Sequence, residues 1–160
     1  MRRGDLDRFV GALAAPVDRF SREAGVRLVL LINESGQVLA QRGFARALDV
    51  MGVAALGAGI HASSRALARL LRQDGFHHLH QGGTGGSQVF IGSFRTPAEE
   101  LILVAVFGED SSIGLVRVFF DALVQEVAQL PGWRESRPTA DPEAFERDLE
   151  AGLDHFFGSR

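Results

Sequence analysis

The chain has 160 residues, with 17 Lys and Arg against 20 Asp and Glu, a net charge of −3 and no cysteine. That length points to one domain with a full hydrophobic core and some chain left beyond it. An acidic balance without a basic run argues against nucleic acid, and the lack of cysteine excludes disulfides, thiolate metal sites and a cysteine nucleophile, in keeping with a reducing compartment.

Met1-Arg2-Arg3-Gly4-Asp5 leads into a charged amphipathic segment rather than an apolar signal core. No apolar run approaches the ~20 residues that span a bilayer, so a cytoplasmic protein with no membrane insertion is the expectation. A first helix is predicted from about Asp5 to Ala24, placing Leu6, Phe9, Val10, Leu13, Val17 and Phe20 on one face, with Pro16 expected to bend it. Gly25 ends that helix, and Arg27 to Ile32 reads as a strand apolar on both faces, hence central in a sheet. Asn33-Glu34-Ser35-Gly36 is a turn into a second strand, Gln37 to Gln41.

Asp49 is placed to cap a long second helix that runs to about Arg72 before Asp74-Gly75 stops it. This helix carries two stripes. Val53, Leu56, Ile60, Leu67 and Leu71 recur at helical spacing and are predicted to seat on the sheet. Ala55, Ala58, Gly59, Ala62 and Ala66 are too small to fill a core and suit the close approach of another backbone. They are predicted to form a docking surface. Arg65, Arg69 and Arg72 run along one side, where solvated charge is the plain reading and steering of an acidic partner by Arg65 and Arg69 the sharper one.

Three further strands are predicted: Phe76 to Gln81, polar and therefore an edge, Ser87 to Phe94, and Glu100 to Phe107, apolar on both faces and central. Ser111 or Ser112 caps a third helix with the core stripe Ile113, Val116, Phe120, Leu123, Val127 and Leu130. From Pro131 the composition shifts to a Pro-, Gly- and Arg-containing linker, residues 131–142. Residues 143–157 then read as a short amphipathic helix whose stripe Phe145, Leu149, Leu153 and Phe156 must dock on its own domain or on a partner. Residues 1–130 form the body. Its element order, α-β-β-α-β-β-β-α, specifies an α+β domain with a five-stranded antiparallel sheet and helices packed on it.

This pattern resembles the Roadblock family, and within it the MglB type of bacterial GTPase regulator. The resemblance is carried by Ala58-Gly59, Ala62, Ala66-Leu67-Ala68 and Leu70-Leu71 in the second helix, by Phe76 with His80-Gln81-Gly82, and by Ser112-Ile113-Gly114-Leu115-Val116-Arg117. Ile60 and His61 depart from it, standing where relatives often have Asn and a small residue. The resemblance implies a Roadblock/profilin-like sandwich and a homodimer in which edge strands pair and the two second helices lie side by side. Pairing of the strand that holds Phe76, His78, Leu79 and His80 with its copy would also remove an unprotected sheet edge. The implied partner is a small Ras-like GTPase of the MglA kind, driven toward GTP hydrolysis in cell polarity or gliding motility. Ala62 and Ala66 carry over as partner-facing positions, and Ala58, Gly59, Arg65 and Arg69 belong to the same proposed surface. Phe145, Leu149, Leu153 and Phe156 are a further candidate contact. The alternative is a non-catalytic Roadblock scaffold that dimerises and tethers another protein.

No Gly-x-x-x-x-Gly-Lys-Ser/Thr is present, so the chain is not a phosphate-loop GTPase itself. Gly82-Gly83-Thr84-Gly85-Gly86-Ser87 precedes a strand rather than a helix and reads as a hairpin loop, not a phosphate cradle. His78 and His80 share one face of a strand, but two imidazoles without a nearby acidic ligand rarely bind metal. No metal and no cofactor is expected, and no convergent set of Ser, His, Asp or Glu supports an enzyme.

Overall fold

The computed structural model describes residues 3–43, 49–75 and 78–131. Within them the chain runs α1 (Arg3–Glu23), β1 (Leu28–Asn33), β2 (Val38–Gly43), α2 (Val50–Leu70), β3 (His78–Gly82), β4 (Gln88–Arg95), β5 (Glu100–Phe107) and α3 (Ile113–Ala128). This is the predicted order, with element ends shifted by a residue or two. Phe76, the linker beyond Pro131 and the tail with Phe145, Leu149, Leu153 and Phe156 lie outside the described residues.

The five strands form one antiparallel sheet in the order β2-β1-β5-β4-β3. The central position falls to β5, with β1 and β4 on either side, and β1 and β5 are apolar on both faces along nearly their whole length. Their register sets Leu31 opposite Leu103 and Ile32 opposite Ile102. Alternate residues therefore feed two separate cores. Val29, Leu31, Leu101, Leu103, Ala105 and Phe107 point to the face covered by α1 and α3, while Leu28, Leu30, Ile32, Ile102 and Val104 point to the face covered by α2.

On the first face the sequence reading holds almost residue for residue. Phe9, Leu13, Val17 and Phe20 of α1 and Val116, Phe120, Leu123 and Val127 of α3 are buried together. Phe120 meets Phe90 and Phe94 edge-on, with ring centroids 5.2 and 6.0 Å apart. The helix α1 runs on through Pro16 and ends before Gly25, whose φ of +63° is the left-handed conformation a helix stop favours. Of the two candidate caps for α3, Ser112 accepts the Leu115 N–H at 3.2 Å, and Ser111 Oγ instead donates to the Ala24 carbonyl.

The second face is built differently. Asp49 caps α2 by accepting the Met51 N–H at 3.1 Å, as expected, but the residues α2 buries against the sheet are Ala54, Gly57, Ala58, His61 and Ala68. Small side chains let the helix lie close. A Cβ added at Gly57 would stand 2.8 Å from Val104 Cγ2 and 3.6 Å from Ile32 Cδ1. Gly57→Val is expected to lower stability by about 1–3 kcal/mol, because overpacking outweighs the few tenths gained in helix propensity. Urea unfolding of the purified variant measures this directly.

Candidate functional site

Because α2 meets the sheet through small residues, its bulky ones are left outside. Leu56 is 69 % exposed, Ile60 43 %, Leu67 49 % and Leu71 54 %, with Leu70 and Met51 more open than most of these. The prediction that Leu56, Ile60, Leu67 and Leu71 seat on the sheet is therefore corrected; of that stripe only Val53 packs against the core under α2. The physical reason is Gly57. Where a helix approaches too closely to admit even a methyl group, a leucine stripe cannot occupy the contact, and the Ala54/Gly57/Ala58/His61/Ala68 spacing was the available sequence signal.

The small stripe is also revised at one position. Ala58 is buried in the sheet contact, whereas Ala55, Gly59, Ala62 and Ala66 are exposed, as a docking track requires. At Gly59 an added Cβ would meet nothing within 4 Å. The outer side of α2 thus presents two parallel tracks, one bulky and apolar, one small, about a third of a turn apart on the helix. Isolated apolar side chains on a surface are ordinary, but a contiguous row of leucines is not.

The strand β3 is a sheet edge, as its polarity predicts. Leu79 points to the α2 side and packs partly against that core, while His78 and His80 face the other way. His78 stacks on Phe90 and His80 on Phe107, with centroids 5.6 and 6.1 Å apart, and His80 Nε2 lies 2.8 Å from Gln88 Oε1. These imidazoles already have aromatic and amide partners.

At the end of the sheet nearest the middle of α2, a charged group gathers that the sequence reading did not assemble. Pairing of Asn33 with Leu101 brings Glu34, in the β1–β2 turn, beside Glu100, the first residue of β5. Arg65 Nη1 bonds both carboxylates, Glu100 Oε2 at 3.0 Å and Glu34 Oε1. His61 is buried beneath them, with Nε2 3.4 Å from Glu100 Oε1. Next to this group, burial pushes the Glu99 carboxyl above its usual range, the Glu34 charge adds to that, and a hydrogen bond from Asn33 opposes it. Arg65 is thus engaged by two acids of its own chain, while Arg69 stays exposed, its Nε 3.4 Å from the Arg65 carbonyl. None of the described helices is long and apolar enough to cross a membrane.

Comparison with known proteins agrees with this architecture. Residues 13–88 match the Roadblock/LC7 domain family. Among solved structures, MglB from Myxococcus xanthus superposes with a TM-score of 0.66 at 24 % identity, over 74 % of this chain and 86 % of that one. The gliding protein MglB from Thermus thermophilus gives 0.63 at 27 % identity, over 85 % and 96 %. MglB in a tetrameric arrangement gives 0.64 at 25 % identity, over 84 % and 94 %. No curated protein matches the chain in sequence. With its five-stranded antiparallel sheet between α1/α3 and α2, this chain has the fold of the MglB structures, and its residues 13–88 match the Roadblock/LC7 domain family.

Proposed function

We propose that this protein is a homodimeric, cytoplasmic regulator of the MglB type, which binds a small Ras-like GTPase of the MglA kind and promotes its GTP hydrolysis in cell polarity or gliding motility. The observation that carries this reading is the outer side of α2, where a bulky apolar track and a small-residue track run side by side, exposed among the described residues. The bulky track suits a second copy of the same helix across a two-fold axis, since a row of leucines is self-complementary. The small track suits the closer approach of the GTPase, at Gly59, Ala62 and Ala66. Pairing of β3 with its copy, through His78, Leu79 and His80, would extend the sheet across the same axis.

The protein acts on a nucleotide bound elsewhere, having no phosphate loop of its own. An activator contributes either an arginine to the transition state or the positioning of groups the GTPase already holds. Arg65 is committed to Glu34 and Glu100, which favours positioning. Mixing the full chain with a Ras-like GTPase of the MglA kind is expected to raise phosphate release at least about tenfold over the intrinsic rate, a modest figure beside the ~10³ or more of an inserted arginine. Binding of the GTPase with an unchanged rate of hydrolysis would refute the activator and leave the tethering scaffold.

A further inference from the structure

We propose that Glu34, His61 and Glu100 form a binding site for a divalent transition-metal ion of the zinc class. One imidazole nitrogen and two carboxylate oxygens are a donor set such ions take, with a fourth position left for water. The three ligand atoms lie within 4.8 Å of one another. Bonds of about 2.0–2.2 Å to a tetrahedral ion place neighbouring donors roughly 3.3–3.6 Å apart. His61 Nε2 and Glu100 Oε1, at 3.4 Å, already stand at that separation.

The state of His61 is the independent sign. Its side chain is 9 % exposed, and among the described residues Nε2 has no hydrogen-bond partner although it lies 3.4 Å from Glu100 Oε1. A buried ring nitrogen left without a partner is uncommon in a folded protein. With its proton on Nδ1, neutral imidazole offers a lone pair at Nε2, which a cation accepts and a carboxylate cannot. Helix α2 holds this nitrogen in place, because His61 belongs to the stripe that packs on the sheet. His61 and Glu100 also line an open groove of about 760 Å³ bounded by residues of α2, β4 and α3, which gives an ion a route from solvent.

Arg65 defines how the site responds. Its guanidinium neutralises the same two carboxylates, so an incoming dication replaces one positive charge with two and releases a side chain that is 37 % exposed back to water. Metal and Arg65 therefore compete. Removing Arg65 must tighten the site, the opposite of what removing a ligand does.

The test is titration of the full, tag-free chain with Co²⁺, followed by visible absorption and by displacement with Zn²⁺. One Co²⁺ per chain is expected, with the intense d–d bands of a low-coordinate ion, bleached by Zn²⁺. His61→Ala and Glu100→Gln should each weaken binding at least about tenfold, Arg65→Met should tighten it, and the pair His78→Ala/His80→Ala should leave it unchanged. Glu100→Gln keeps the side-chain volume, and circular dichroism verifies that each variant is folded. Absence of stoichiometric bands, an unchanged affinity in Glu100→Gln, or binding that survives His61→Ala and disappears with His78 and His80 overturns the proposal.

Discussion

Substituting Leu56 and Leu67 with Glu is expected to convert the proposed dimer to a folded monomer. Both side chains lie largely in water within the protomer, at 69 % and 49 % exposure. Their replacement therefore changes protomer stability by no more than about 0.5 kcal/mol each, the usual range for surface positions. In the proposed dimer each leucine is buried twice, once per copy. Losing a buried leucine removes about 1.5–3 kcal/mol, and the carboxylates bring like charges together across the two-fold. The dissociation constant should rise at least about thousandfold, as ~4 kcal/mol implies. Sedimentation velocity over a concentration series reads this, and circular dichroism checks the fold. The dimer's melting temperature should depend on protein concentration and the variant's should not. A variant that unfolds outright would mean that the leucines belong to the core, as their spacing alone suggests.

The contrast between the two faces of the sheet shows what a sequence of this kind discloses. Phe9, Leu13, Val17 and Phe20 declare their side of α1 because apolar bulk at helical spacing faces a core and everything else is polar. In β1 and β5 an unbroken apolar run has one solution, burial on both sides, and that places them inside the sheet rather than at an edge. Helix α2 defeats the same rule because it has two apolar surfaces, and bulk is the wrong criterion for choosing between them. The decisive quantity is the distance between helix and sheet. Gly57 fixes it by allowing no Cβ beside Val104, and that distance excludes leucine from the contact. Gly59, Ala62 and Ala66 of the small stripe are exposed, yet spacing gives no means of separating these from Ala58, which faces the sheet. The Glu34, His61 and Glu100 group lay beyond reach for a different reason. Its members are far apart in the chain, and only the β1–β5 register and the rotation of α2 bring them together.

Placing Arg at both Ala62 and Ala66 is expected to abolish the proposed stimulation of the GTPase without disturbing the fold or the proposed dimer. The two positions are exposed and one turn apart on the small track, and Arg is nearly as good a helix former as Ala, so the protomer loses only a few tenths of a kcal/mol. A small track works by proximity. A partner whose backbone approaches over a methyl group cannot do so over a long guanidinium side chain. The loss in affinity should be at least about hundredfold, or ~3 kcal/mol, with GTP hydrolysis returning to the intrinsic rate. Arg69→Ala serves as the companion variant. It leaves the track open and removes one exposed charge, so it should alter association mainly at low ionic strength, by less than about tenfold. Full stimulation by the double arginine variant would place the GTPase contact elsewhere on the molecule. Loss of the dimer in the same variant, read by sedimentation, would assign the small track to the two-fold and move the GTPase onto the leucine track.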